Sequence, residues 1–419
     1  MHDDAPGPEG HGGLRPLDGI RVLDLSRIFA APFAGQILAD LGAEVIKVER
    51  PGAGDDTRTW GPPFVRDPSG AETAETGYFL ALNRGKKSVT IDIGRPEGQA
   101  LLRNLAERSD VLIENFKPGT LDRYGVGWTA MHALNPRLVY CAVTGFGQDG
   151  PYRDRPAYDF IIQAMGGLMS VTGEREDRPG GGPQKVGVPL VDLMTGLFAT
   201  VAVQAALAVR QRTGQGQHID IGMLDVLVGS LANQAQNYLL SGRIPRCAGN
   251  DHPNIVPQRV FAAGDGKFVM VVGNDGQFRA LCAVLGRPDL ATDPRFATNP
   301  ERVRNRVALD GALDPLIAAR TVADLTAALD IAGVPSGPIN DMQQVFADPQ
   351  VLARAMQFAM AHPTCGAIPQ VANPIRLGAT PIAYPTPPPV LGQHVEEVLG
   401  GLLGLSPERI ASLRKARVI

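Results

Sequence analysis

Gly19-Ile20-Arg21-Val22-Leu23-Asp24-Leu25 reads as a buried strand, and Glu44-Val45-Ile46-Lys47-Val48-Glu49 reads as a second one. Between them, Ala34 to Leu41 has the pattern of a short helix, so the whole stretch is a βαβ unit. Outward along the chain the alternation continues through Ser88 to Ile93, Glu97 to Arg108, Val111 to Phe116 and Leu138 to Val143. The predicted fold class is α/β, a largely parallel sheet covered by helices.

A strand, helix and strand ending in Glu49 invite a dinucleotide reading, because such an acid often binds a ribose. The glycine fingerprint is missing. Arg27-Ile28-Phe29-Ala30-Ala31-Pro32-Phe33-Ala34-Gly35 stands where GxGxxG would, and Arg50 directly follows the acid. This disfavours NAD and an oxidoreductase, and leaves a phosphate-bearing adenine nucleotide open.

At 419 residues, 44% hydrophobic and 20% charged, the chain has room for two domains of ordinary globular composition. A formal net charge of -3 and a pI near 6.2 give no reason to expect nucleic acid or an anionic membrane surface as a partner. Cys141, Cys247, Cys282 and Cys365 are far apart and lack metal-ligand spacing, which predicts neither a zinc site nor a disulfide framework and points to the cytoplasm. The first 13 residues are rich in Gly, Pro, Asp and His without an apolar run, and read as a disordered tail in which His2 and His11 are solvated.

Val188-Pro189-Leu190-Val191-Asp192-Leu193-Met194-Thr195-Gly196 places a carboxylate at the opening of a helix that carries no further charge up to Val209. Asp192 there faces unpaired amides and the positive end of the helix dipole, so it is expected to stay ionised although largely removed from water. Two readings of it stand side by side: an N-cap, favoured on the segment alone, or a nucleophile. Gly187 and Pro189 make a tight approach and Gly196 leaves room for a ligand, which favours the nucleophile. The helix approaches the roughly 20 apolar residues of a membrane span, but Asp192, Thr195, Thr200 and Gln204 argue for a core or subunit-interface helix.

Beyond it, His218 to Ile221 reads as a strand and Leu224 to Leu240 as another long helix. Arg259 to Ala262 and Lys267 to Val272 form a hairpin around Gly264-Asp265-Gly266, followed by helices at Phe278 to Leu285, Arg302 to Arg320 and Val322 to Ala332. The expected division is a large domain from 14 to 222, a linker helix at 223–242, a smaller α+β domain at 243–335, and a C-terminal segment, 336–419, returning to the large domain. Pro381 to Pro389 is proline-rich, and no internal repeat is visible.

Several linked motifs now stand in order. They are Leu17-Asp18-Gly19-Ile20-Arg21-Val22-Leu23-Asp24, Leu41-Gly42-Ala43-Glu44-Val45-Ile46-Lys47-Val48-Glu49, Leu82-Asn83-Arg84-Gly85-Lys86-Lys87-Ser88, Glu114-Asn115-Phe116-Lys117-Pro118-Gly119 and Gly145-Phe146-Gly147-Gln148-Asp149-Gly150-Pro151-Tyr152. With the Pro-Leu-Val-Asp192 segment they make the chain resemble the class III CoA-transferases, the CaiB/BaiF family, from about Leu14 to the C-terminus. The resemblance implies a Rossmann-like large domain built from both chain ends, a small domain, and an interlocked homodimer. It also implies that CoA moves from an acyl-CoA to a carboxylic acid through covalent intermediates on Asp192, with coenzyme A a substrate and product and no cofactor or metal held permanently.

By position, the resemblance assigns Ile28, Phe29, Ala30, Arg50, Asn115, Phe116 and Arg123 to CoA, with Arg50 and Arg123 suited to phosphates and Phe116 to adenine. Tyr158, Gly166, Gly167, Asn250 and His252 are candidates for the acyl or oxyanion site, the glycines being equally readable as packing residues. Arg259 joins Asn250 and His252 as a group that could meet an acyl carboxylate, which suggests a dicarboxylate such as succinate, while carnitine-like and aromatic acceptors stay open; His252, before Pro253, reads equally as a turn residue. Two positions depart from the family: Gly94, where some relatives carry a lysine that neighbouring Arg95 could replace, and Thr144. Arg95 and Arg153 otherwise read as solvated. The alternatives are an α-methylacyl-CoA racemase of the same fold and a non-catalytic CoA-binding protein. Tyr158, standing where racemases have a His, is a poor base at neutral pH, and the presence of Asp192 argues against the second.

Overall fold

The structure is a computed structural model that describes residues 13–419; the expected tail, with His2 and His11, falls outside them except for Gly13. The chain forms two compact units. One comprises the described residues through Gly167, with Val186–Ala235 and Leu352–Ile419; the other comprises Leu168–Lys185 and Gln236–Val351. Relative to the expected division, residues 168–185 and 336–351 lie with the second unit.

The first unit is built on six strands: β1 (Arg21–Asp24), β2 (Glu44–Glu49), β3 (Lys86–Thr90), β4 (Val111–Glu114), β5 (Val139–Thr144) and β6 (His218–Gly222). All pair in parallel, in the spatial order β3-β2-β1-β4-β5-β6. This is a doubly wound arrangement whose direction reverses between β1 and β4, and such a reversal opens a crevice at the carboxyl ends of those strands. Side chains alternate between faces with period two. Val22, Val45, Val111, Ile113, Val139, Cys141 and Val143 pack beneath α1 (Ala30–Asp40) and the long helix Leu190–Thr213. Leu23, Ile46, Val89, Leu112 and Tyr140 pack against α2 (Pro96–Ala106) and against Val398, Leu399, Ile410 and Leu413 from the C-terminal segment. Each fully buried aliphatic side chain here contributes about 1.5–3 kcal/mol.

One patch of the α1 face is charged. Asp24, Lys47 and Lys86 are buried on it, and a side chain at Gly35 of α1 would meet the Asp24 carboxylate at 2.8 Å and Lys86 Nζ at 3.1 Å. Lys86 gives its three hydrogens to Asp24 Oδ2, Asn83 Oδ1 and the Pro32 carbonyl at 2.8–3.0 Å. Lys47 Nζ donates to Asp55 Oδ2 and the Ser26 carbonyl, both at 2.8 Å.

The predicted long helix at 224–240 is broken: Met223–Ser230 and Ala232–Ser241 are separate, and Ala232 has φ +47. The predicted helix at 302–320 is likewise divided at Asn305. In the second unit the expected hairpin is present as Gln258–Ala262 against Lys267–Val271, with Ser336–Pro338 as a third strand. Its core gathers Phe261, Phe268, Met270, Phe278, Leu281, Leu309 and Leu313. Arg302 is fully buried beside them and donates to the Val256 and Phe296 carbonyls and to Asp275.

Candidate active site

The helix carrying Asp192, α4, begins at Leu190, with α3 (Asp159–Met165) preceding it in the chain. Asp192 is the third residue of α4. Its cap position is held by Pro189, which has no capping side chain. The capping carboxylate comes from elsewhere: Asp159 Oδ2 accepts from the Val191 N–H at 2.8 Å and the Asp192 N–H at 3.1 Å. The N-cap reading of Asp192 is therefore replaced by an arrangement of two carboxylates, one occupying the helix end and the other beside it.

The expectation that Asp192 stays fully ionised is corrected by the same geometry. Burial, and then the Asp159 charge, push Asp192 up to about 7, against the opposing influence of the nearby Ala30 backbone amide. Asp159 already takes the amides through which the helix terminus would have stabilised Asp192. Near neutrality the nucleophile candidate is thus divided between its two protonation states.

Tyr78 completes the surroundings. Burial, followed by the charges of Asp192 and Asp159, pushes its phenol up to about 12, so it stays neutral in the neighbourhood of both carboxylates. Its ring meets Phe29 at 5.7 Å and Trp60 at 5.1 Å, both edge-on, forming an aromatic wall. Sequence reasoning missed Tyr78 and Trp60, which lie on short elements without usable periodicity; Phe29 was placed with CoA. Gly196 provides no ligand space, since a side chain there would meet the Ala30 carbonyl at 2.6 Å and Phe33 at 3.0 Å. It is what lets α4 lie against α1.

At the carboxyl ends of β1, β2 and β4 lies a second concavity, of about 280 Å³, lined by Ser26, Arg27, Arg50, Asp92, Phe116 and Tyr124 among others. Of the seven positions assigned to CoA, Arg50 and Phe116 line it and Ile28, Phe29, Ala30, Asn115 and Arg123 do not. Asn115 spends its side chain on the Arg27 backbone, accepting from the N–H at 2.9 Å and donating to the carbonyl at 2.7 Å. Arg123 is exposed, near Thr120. Arg27, not singled out from the sequence, lies over Phe116 at 5.7 Å and pairs with Asp56. Arg95, exposed beside position 94, gives one guanidinium N–H to the Ala416 carbonyl.

The Gly166 N–H is given to the Ile162 carbonyl at 2.8 Å, and a side chain at Gly166 would strike Leu227, so it is a packing residue. Gly167 follows it with φ +86. Tyr158 precedes α3 and is 57% exposed. Asn250 and His252 belong to the second unit. His252 Nδ1 accepts from the Asn254 and Ile255 amides, both at 3.1 Å, which makes it a turn residue. Arg259 is engaged by Asp310 and Asp314 and lies over Phe261, so it is not free for an acyl carboxylate.

The chain resembles known proteins over nearly its whole length. The family model for CoA-transferase family III matches residues 17–395. The chain is 48% identical over 387 residues to a succinate–glutarate CoA-transferase of Agrobacterium fabrum, covering 92% of this chain and 96% of that one. It is 41% identical to a succinyl-CoA–D-citramalate CoA-transferase of Chloroflexus aurantiacus over 406 residues, 97% and 98% of the two chains. A crystal structure of a CaiB/BaiF family protein from Brucella suis superposes with a TM-score of 0.79 at 48% identity, covering 93% of this chain and 99% of that one. With a parallel α/β sheet and these matches over nearly its whole length, this chain belongs to CoA-transferase family III and is a CoA-transferase.

Proposed function

We propose that the protein moves CoA from succinyl-CoA to a second dicarboxylate, with Asp192 as the nucleophile. The observation that carries this reading is the half-buried Asp192 carboxylate, close to the Ala30 amide and beside an aromatic wall. The named relatives act on succinate, glutarate and citramalate, which supports the dicarboxylate class.

In this reaction an Asp192 oxygen attacks the thioester carbon, the C–S bond breaks, and CoA thiolate leaves a mixed anhydride. The thiolate attacks the aspartyl carbonyl, releasing the donor acid and leaving an aspartyl–CoA thioester. The acceptor carboxylate attacks that thioester to form a second anhydride, and the thiolate takes its acyl group, regenerating Asp192. CoA's nucleotide end occupies the concavity at Arg27, Arg50 and Phe116, where two guanidiniums suit phosphate and one ring suits adenine. Succinyl-CoA incubated with a panel of acids, with thioesters identified by mass, tests the reading. New dicarboxylyl-CoA with matching release of succinate is expected; no new thioester from any dicarboxylate would overturn it.

The reaction's pH dependence follows from the carboxylate pair. The acid limb of kcat/KM, which reports the free enzyme, is expected near 7. Asp159→Asn keeps an oxygen for the two amides and removes the charge, so the limb moves down in pH. Asp159→Ala removes the cap as well, costing about 1 kcal/mol of stability. An unmoved limb in the Asn variant would show that Asp159 does not tune Asp192.

The functional unit we propose is a cytoplasmic homodimer with interlocked chains. All four cysteines are free. An apolar cavity of about 930 Å³ is lined by Leu190, Leu193, Met194 and Leu197 of α4 and by Ile368 and Ile375, and on the same helix Phe198 and Val201 are exposed. A contiguous apolar surface of that kind marks an interface. Light scattering after size exclusion is expected to give twice the chain mass, and a monomer at micromolar concentration would refute the assembly.

A further inference from the structure

The turn joining β1 to α1 is held with unusual thoroughness. Ile28 within it has φ +74, a left-handed conformation that β-branched side chains rarely adopt. Neighbouring backbone groups are each engaged by a side chain from another segment. Lys47 Nζ donates to the Ser26 carbonyl at 2.8 Å, and Asp55 Oδ1 accepts from the Ile28 N–H at 3.2 Å. Asn115 clasps the Arg27 N–H and carbonyl at 2.9 and 2.7 Å. Lys47 and Asp55 are themselves paired at 2.8 Å, with both side chains fully buried. The desolvation cost of sequestering such a pair is offset by the hydrogen bonds it makes, and two of those are to the turn itself.

What it fixes lies two residues on. The Ala30 amide lies close enough to the Asp192 carboxylate to favour its charged form, and the Ala30 carbonyl sits where a side chain on Gly196, one turn along the same helix, would stand. The turn is therefore docked on the catalytic helix at one end and pinned to β2 and β4 at the other. The groups facing Asp192 are this amide, the Asp159 carboxylate from α3 and the Tyr78 phenol from the short helix Gly77–Leu80. Ala30 is the donor among them whose direction is set by the turn.

We propose that Lys47, Asp55 and Asn115 are positioning residues for the reaction: they hold the left-handed turn at Ile28 so that the Ala30 amide stays aimed at the Asp192 carboxylate. The inference rests on Asp192 being the nucleophile. It gives Asn115 a task different from contacting CoA, and it links a buried ion pair to the chemistry through one backbone amide. If the turn relaxes, the amide swings away. The carboxylate then loses a partner that favours its charged form, and the attacking oxygen loses its fixed direction.

Asn115→Ala tests this without disturbing the buried pair, because Asn115 is only half-buried. The kcat for transfer from succinyl-CoA is expected to fall roughly tenfold to a hundredfold. The acid limb of kcat/KM should move up in pH, while KM for succinyl-CoA changes by a smaller factor. Asp55→Asn, with folding checked by its thermal transition, should move kcat and the limb in the same directions. Were Asn115 a CoA contact only, KM would rise with kcat and the limb unchanged, which overturns the proposal. A wild-type profile with no acid limb, or an active Asp192→Ala enzyme, overturns the reading of Asp192 and this inference together. A wild-type limb that Asn115→Ala leaves in place overturns the inference alone.

Discussion

Asp192→Asn is expected to lower CoA transfer by a factor on the order of 10⁴ or more, as removal of a covalent nucleophile does, while the protein folds and binds CoA as before. The structure makes this variant unusually discriminating. Because Asp159 caps α4 through the Val191 and Asp192 amides, nothing at the helix terminus depends on the side chain at 192. An amide there also removes a charge that Asp159 opposes, so thermal stability should hold or rise slightly. A role for Asp192 in the fold alone would give the reverse pattern: lower stability with retained turnover. The paired measurements are steady-state transfer, the thermal transition and CoA affinity by calorimetry. Hydroxylamine trapping after incubation with succinyl-CoA should mark the peptide containing Asp192 in wild type and not in the variant. Near-normal turnover in the Asn variant would remove the covalent mechanism.

The parts of this molecule legible from its sequence are those governed by local repetition. Strands β1, β2, β4 and β5 follow from short stretches rich in Val, Ile and Leu, because both faces of these strands are covered and most of their side chains are apolar, with buried Asp24, Lys47, Glu49 and Glu114 as the exceptions. The start of α1 was read four residues late. Its first turn, Ala30-Ala31-Pro32-Phe33, follows a left-handed Ile28 that no local pattern announces. Asp192 stood out because a charge opening an apolar helix is visible in one dimension. The groups that set its protonation are not: Asp159 lies 33 residues away in the chain and Tyr78 more than a hundred. The same limit explains Gly196. Space beside a glycine can be filled by a ligand or by another helix, and only the position of Ala30 decides between them.

Lys47→Met should be the most destabilising single substitution at the buried charge cluster, by roughly 3–5 kcal/mol, the usual consequence of removing one partner of a buried ion pair. Lys47 is fully buried, holds Asp55 and the Ser26 carbonyl at 2.8 Å, and lies close enough to Asp24 and Glu49 to be stabilised by their charges. A methionine fills similar volume but leaves Asp55 without a cation. The loss is a large share of the roughly 5–15 kcal/mol that holds a typical domain together. Its pH dependence identifies the cause. Although burial alone would raise Asp55, the Lys47 charge and hydrogen bonds from Lys47 and Thr57 hold it at about 2, below the ordinary 3.8. A depressed carboxylate stabilises the fold fully above its unfolded value and loses that contribution as pH falls through the folded one. Here the contribution is roughly 2.5 kcal/mol, present above about pH 4 and lost toward pH 2. In Lys47→Met the sign reverses, because burial without a partner raises Asp55 and favours the protonated form at lower pH. The stability gap between wild type and variant, from urea unfolding, should therefore be widest near pH 7 and narrow as pH falls below 4. A gap of the same size at pH 7 and pH 3 would mean that Lys47 acts by filling space and that the Asp55 charge is irrelevant to the fold.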